Sequence, residues 1–140
     1  MKIEKTYSIE DKHIDVQGIL DGLYYPFYME YCRHDYLKEV LGFDLAHEAS
    51  QGVNIVLTQY TIRFKRSLKK GDTITVTCEA HPDTEGSPVF HLVQEIRREG
   101  KLVTEGIFTA TFVKAAGGRS YLPDEIVSKI QASSPHSAPK

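Results

Sequence analysis

The chain has 140 residues, 41% hydrophobic and 26% charged, which suits one folded domain and is too short for two separate cores. A formal net charge of −2 and the absence of a long basic run argue against a nucleic-acid role, which needs a clustered positive face. No apolar run approaches membrane-spanning length, and Met1–Lys5 lacks the apolar region of a signal peptide, so a cytoplasmic domain without membrane insertion is expected.

From Ile3 to Ile9 apolar and polar residues alternate, which predicts a first strand. Asp11 to Asp21 is turn-like. A helix is then predicted from about Gly22–Tyr25 to Leu41. Pro26 is tolerated only in a first helical turn, and Gly42 directly after Leu41 is a left-handed stop. On that helix Tyr25, Met29, Cys32, Tyr36 and Val40 share one face, with Tyr28 and Leu37 at its margins. Four strands should follow: Val53–Phe64, Thr73–His81, Val89–Arg98 and Leu102–Lys114. The second points Ile74, Val76, Cys78 and Ala80 inward, and Glu99-Gly100 is a hairpin signal between the last two. Ile126 and Ile130 after Pro123 predict a short terminal helix. These elements define an α+β domain over residues 1–132, with a Ser/Pro-rich, disordered tail over 133–140.

The segment from Asp15 to Arg33 carries the chemistry. It places a carboxylate on a tight turn, a glycine-rich approach, and then an aromatic helix. A helix N-terminus offers unpaired N–H groups and a positive dipole end, so it can hold a developing negative charge. A carboxylate just before that end can serve as base or nucleophile on a carbonyl polarised there. The pattern suits ester or thioester hydrolysis.

Asp15, Gly18, Tyr25, Glu30 and Arg33 also fall in register with a known signature. The chain resembles the hotdog-fold acyl-CoA thioesterases of the 4-hydroxybenzoyl-CoA thioesterase type, including relatives associated with the Tol–Pal envelope system. The resemblance extends through Tyr60–Asp72 and Gly117–Glu125, and so covers about Ile3 to Gln131. It implies an antiparallel five-stranded sheet wrapped around one long central helix. It also implies a homodimer or homotetramer with a continuous sheet across two protomers and active sites at the shared interface. The implied activity is hydrolysis of an acyl-CoA substrate to free acid and coenzyme A, with no cofactor.

By the same resemblance Asp15 is the catalytic carboxylate, as direct nucleophile or as general base for water. Gly22 is the residue whose backbone N–H polarises the thioester carbonyl; relatives often carry His or Asn there, whereas this chain has Asp21-Gly22. Asp21 can act as a helix N-cap or as a second acid near Asp15. Gly18 and Tyr25 are expected to touch substrate. Arg66 and Lys69, within the cluster Arg63, Lys65, Arg66, Lys69 and Lys70, are expected to meet coenzyme A phosphates. Glu30 and Arg33 read as a surface or interface ion pair, and His13 as a bystander. Cys32 and Cys78 read as buried reduced thiols, and no His/Cys spacing suggests a metal site. Two alternatives stand beside hydrolysis of acyl-CoA: action on a thioester carried by an acyl carrier protein, and a non-catalytic acyl-CoA-binding module.

Overall fold

The computed structural model describes residues 1–133; the expected disordered tail lies, from position 134 on, outside the described residues. Five strands form one antiparallel sheet: β1 (Lys2–Ser8), β2 (Val53–Phe64), β3 (Thr73–Pro82), β4 (Phe90–Arg98) and β5 (Lys101–Lys114). Their order across the sheet is β1-β3-β4-β5-β2, so β1 and β2 are the two edges. Among the described residues three α-helices accompany it, α1 (Tyr24–Glu39), α2 (Leu45–Ser50) and α3 (Asp124–Ser133), with a single 3-10 turn at Asp11–His13.

Alternation in β3 does what its sequence dictates. Ile74, Val76, Cys78 and Ala80 are fully buried, and on β4 the matching inward residues are Phe90, Leu92, Gln94 and Ile96. α1 lies on this face and buries Tyr25, Tyr28, Met29, Cys32, Tyr36 and Leu37 against it. Packing is supported by polar contacts from the helix. The Tyr36 hydroxyl accepts from the Ala80 N–H at 2.9 Å, and the Cys32 thiol meets the Val76 carbonyl at 3.4 Å. Both cysteines are free and buried, and burial pushes the Cys32 thiol up to about 12.

The turns follow their residues. Glu99 and Gly100 both have positive φ, 51° and 77°, the pair a two-residue hairpin of this type needs. Gly42 sits at φ 67° just past α1. Ile126 and Ile130 anchor α3 in the core.

Four expectations need correction. α2 was not foreseen; it is six residues long and capped by Asp44, whose Oδ1 accepts from the His47 N–H at 3.1 Å. Val40 is the C-cap residue and half-buried, because α1 stops at Glu39. Ser133 ends α3 instead of opening a tail. Arg33, read as a surface or interface partner of Glu30, is 5% exposed. It keeps Glu30 at 3.6 Å but donates to Gln94 Oε1 at 3.2 Å and lies 4.4 Å from the Phe108 ring centroid. A long side chain at helical spacing can turn inward when the sheet offers it an acceptor and a ring face.

β2 is a long edge strand with no neighbour on its outer side in the described chain. Four of its apolar residues remain open: Tyr60 is 52% and Phe64 56% exposed, with Val56 and Leu57 also exposed. An apolar edge of this length is a template for pairing with another chain.

Candidate active site

Asp15 opens a four-residue turn. The Gly18 N–H donates to the Asp15 carbonyl at 3.0 Å, and Gly18 adopts φ 83°, a region that favours glycine. Ile14 pairs with Leu20 across this turn, and the Asp15 N–H donates to the Ile19 carbonyl at 2.9 Å, so the loop is a miniature hairpin. The Asp15 carboxylate is half-buried and doubly held. Its Oδ1 accepts from the Gln17 N–H at 2.7 Å, and Oδ2 lies 3.4 Å from the Gln17 side-chain amide.

The returning arm of the hairpin is attached to the segment after β2. Leu20 N–H donates to the Leu68 carbonyl at 2.8 Å, and Ile19 bridges to Lys69. The Leu68 N–H in turn donates to the Tyr25 hydroxyl at 3.2 Å. Tyr25 therefore joins α1 to the loop that carries Asp15. Its ring is 4% exposed and meets Phe64 edge-on at 5.0 Å between centroids. Burial raises the Tyr25 phenol above its ordinary value, and the negative charge of Asp15 adds to that.

The approach to α1 is built by Asp21. Its Oδ1 accepts from the Leu23 N–H and its carbonyl from the Tyr24 N–H, both at 2.9 Å. Asp21 is therefore not the N-cap expected of it: Leu23 holds that position without a side-chain cap, and Asp21 instead closes the turn that leads into the helix. Gly22, between them, is exposed, and among the described residues its N–H has no hydrogen-bond acceptor.

These parts converge on one open pocket of about 480 Å³. Asp15, Gly22, Tyr25 and Arg66 line it together with Gln17, Phe64 and Lys65, while Ile19, Leu20 and Ser67 complete the wall. Four of the six residues singled out in the sequence meet here. Gly18 and Lys69 lie outside the lining: Gly18 shapes the turn, and the Lys69 N–H donates to Asp72 Oδ2 at 2.8 Å. Gln17 and Phe64 were not foreseen. Gln17 stands inside the motif itself, and Phe64 was visible only as the last apolar residue of a predicted strand. Arg66 and Lys69 are exposed and make no ion pair among the described residues, whereas Lys65 sits 3.8 Å from Glu105 and Lys70 3.3 Å from Asp11.

His13 is not idle. It is 4% exposed, shares a 2.7 Å hydrogen bond with the Tyr28 hydroxyl and stacks on Tyr24 at 4.0 Å. It therefore fixes the first turns of α1 instead of facing Asp15. No group of three or more metal-ligating side chains is present among the described residues, and no helix is long and apolar enough to cross a membrane.

Comparisons with known proteins agree with this architecture. A DHNA-CoA thioesterase from Staphylococcus aureus superposes with a TM-score of 0.79 at 24% identity, over 94% of this chain and 91% of that one. A 1,4-dihydroxy-2-naphthoyl-CoA thioesterase from Synechocystis gives 0.79 at 16% identity, over 93% and 96%. A further Staphylococcus aureus protein, solved in complex with CoA, gives 0.81 at 16% identity, over 94% and 83%. No curated protein matches the chain at the level of sequence. The family profile of the thioesterase-like superfamily matches residues 9–130, from the end of β1 into α3 and across the whole candidate site, and the chain belongs to that superfamily, with its hotdog fold.

Proposed function

We propose that this protein hydrolyses acyl-CoA thioesters to a free acid and coenzyme A, with Asp15 as base or nucleophile and the backbone N–H of Gly22 as oxyanion donor. The observation that carries the reading is that Asp15, Gly22 and Arg66 line a single pocket at the start of α1. The Gly22 N–H is without an acceptor among the described residues, as a group awaiting an oxyanion must be. Arg66, with Lys69 nearby, supplies cations for the phosphates of the coenzyme. CoA is the ligand of one similar structure, and two others are named as thioesterases of DHNA-CoA and of 1,4-dihydroxy-2-naphthoyl-CoA.

In this reading α1 is the central helix, and two copies join through β2 into a continuous sheet in the cytoplasm. The apolar edge of β2 supports that assembly, and Phe64, at its end, lies in the site wall. The acyl-group preference follows from what the second copy contributes.

One observation favours a binding module instead. Asp21 is engaged with the Leu23 N–H and Gly22 has no side chain, so the helix entry offers no side-chain acid to the substrate. A screen of purified protein against short, long and aromatic acyl-CoAs, and against acyl carrier protein thioesters, with detection of released thiol, decides. Turnover of any acyl-CoA supports the proposal. Tight binding without turnover transfers the assignment to the sensor reading.

A further inference from the structure

We infer that Gln17 is a positioning residue that determines which oxygen of Asp15 reacts; this rests on the thioesterase reading above. The two carboxylate oxygens of Asp15 are held unequally. Oδ1 accepts the Gln17 backbone N–H at 2.7 Å, the length of a strong charge-assisted bond. Oδ2 has only the Gln17 side-chain amide, at 3.4 Å, near the limit at which a hydrogen bond keeps its strength. One residue thus contacts both oxygens, one firmly and one loosely. The firm bond belongs to the turn and survives any substitution at position 17 except proline. The loose bond belongs to the side chain and can be exchanged for water or substrate at little cost.

Oδ2 is therefore the reacting oxygen. As base, it takes a proton from a water whose oxygen bonds to the thioester carbon. That proton then leaves with the thiolate sulfur as the C–S bond breaks. As nucleophile, it bonds to the same carbon while the C–S bond breaks and the thiolate takes a proton from solvent; water then cleaves the anhydride. In either course the Gln17 amide keeps the carboxylate plane from rotating before reaction and releases Oδ2 as reaction begins. Gln17 itself lines the pocket together with Asp15. The other charged or titratable groups around this space are Tyr25 from α1 and Lys65 and Arg66 from the segment after β2.

The test uses the full-length protein and three variants: Gln17→Leu, Gln17→Glu and Asp15→Asn. Gln17 is exposed, so all should fold, which circular dichroism checks. With the best acyl-CoA of the screen, Gln17→Leu should lower kcat about tenfold while KM stays within about twofold, the pattern of an interaction acting at the reacting group and not in substrate binding. Gln17→Glu places a second carboxylate beside Asp15. Mutual repulsion favours the protonated form, so the acid limb of the rate profile should move to higher pH by about one unit. The carboxyl carbon resonance of Asp15, followed by NMR through acidification, should shift its midpoint in the same direction.

Wild-type kcat and an unmoved pH profile in both Gln17 variants, with Asp15→Asn inactive, would overturn the role of Gln17 and leave the thioesterase reading standing. Full activity of Asp15→Asn would remove both. If the wild type turns over no thioester, there is no reacting oxygen to select, and the inference falls with the thioesterase reading.

Discussion

The Arg33 guanidinium donates to Gln94 Oε1 across 3.2 Å, joining the middle of α1 to the middle of β4 inside the core. Gln94 is fully buried, and its amide nitrogen donates in turn to the Met29 carbonyl at 2.9 Å. Burial pulls the Arg33 guanidinium below its ordinary value, and the nearby Glu30 carboxylate opposes that shift. A Gln94→Leu variant keeps the volume but strips a buried cation of its acceptor. It should destabilise the fold by about 2–3 kcal/mol. Urea unfolding at fixed protein concentration measures this, and a loss well under 1 kcal/mol would mean that Phe108 and Glu30 suffice to hold the charge.

Asp15→Asn should leave the fold and the oligomer intact and lower thioester turnover by about a hundredfold or more. The turn does not need the charge, because its closing bond runs from the Gly18 N–H to the Asp15 carbonyl. Steady-state kinetics and a thermal melt, taken together, separate a lost base from a lost fold. Unchanged turnover would reduce Asp15 to a turn residue.

Gly22 should tolerate alanine. A Cβ built there meets nothing within 4 Å, so Gly22→Ala is expected to reduce turnover only modestly. Gly22→Pro deletes the N–H itself and should lower the rate by about 10²- to 10³-fold, the usual cost of one oxyanion donor. Comparing the two by kcat, with folding checked by circular dichroism, tests the donor directly. Equal activity in a folded proline variant would place the oxyanion elsewhere.

The open edge of β2 should be covered in solution. Light scattering at micromolar concentration is expected to show at least a dimer, with Tyr24–Tyr31 of α1 close to the partner chain. A Val56→Lys, Tyr60→Lys double variant should shift it toward monomer, since unpaired lysines on an edge strand oppose pairing. Activity should fall with the dimer. A wild-type monomer would undo the interface site.

The thiols should be silent. Cys32 is fully buried with its thiol pushed up to about 12, and burial raises Cys78 well above its ordinary value too. Because only the thiolate reacts, a disulfide reagent at neutral pH should label neither cysteine within minutes and both after denaturation. Rapid labelling of native protein would reveal local opening between α1 and β3.

The sequence by itself determined what depends on neighbours a few residues away. The period of two in Thr73–His81 specified which side of β3 is buried, and Glu99-Gly100 and Gly42 marked turns because so few residues accept positive φ. Asp15 and Gly18 were legible as a tight turn for the same local reasons. Contacts between distant positions were decided only by the tertiary structure. Arg33 read as a surface residue because its acceptor, Gln94, stands 61 positions away. Tyr25 read as a residue for substrate and does line the pocket, but the bond from the Leu68 N–H to its hydroxyl, 43 positions on, had no local signal. Phe64 read as an ordinary strand residue, yet antiparallel pairing of β2 on β5 left β2 at the edge and carried its last residue to the pocket wall beside Asp15. Periodicity records which face of an element is apolar; which other element covers that face depends on chain closure over long separations, and no local pattern encodes it.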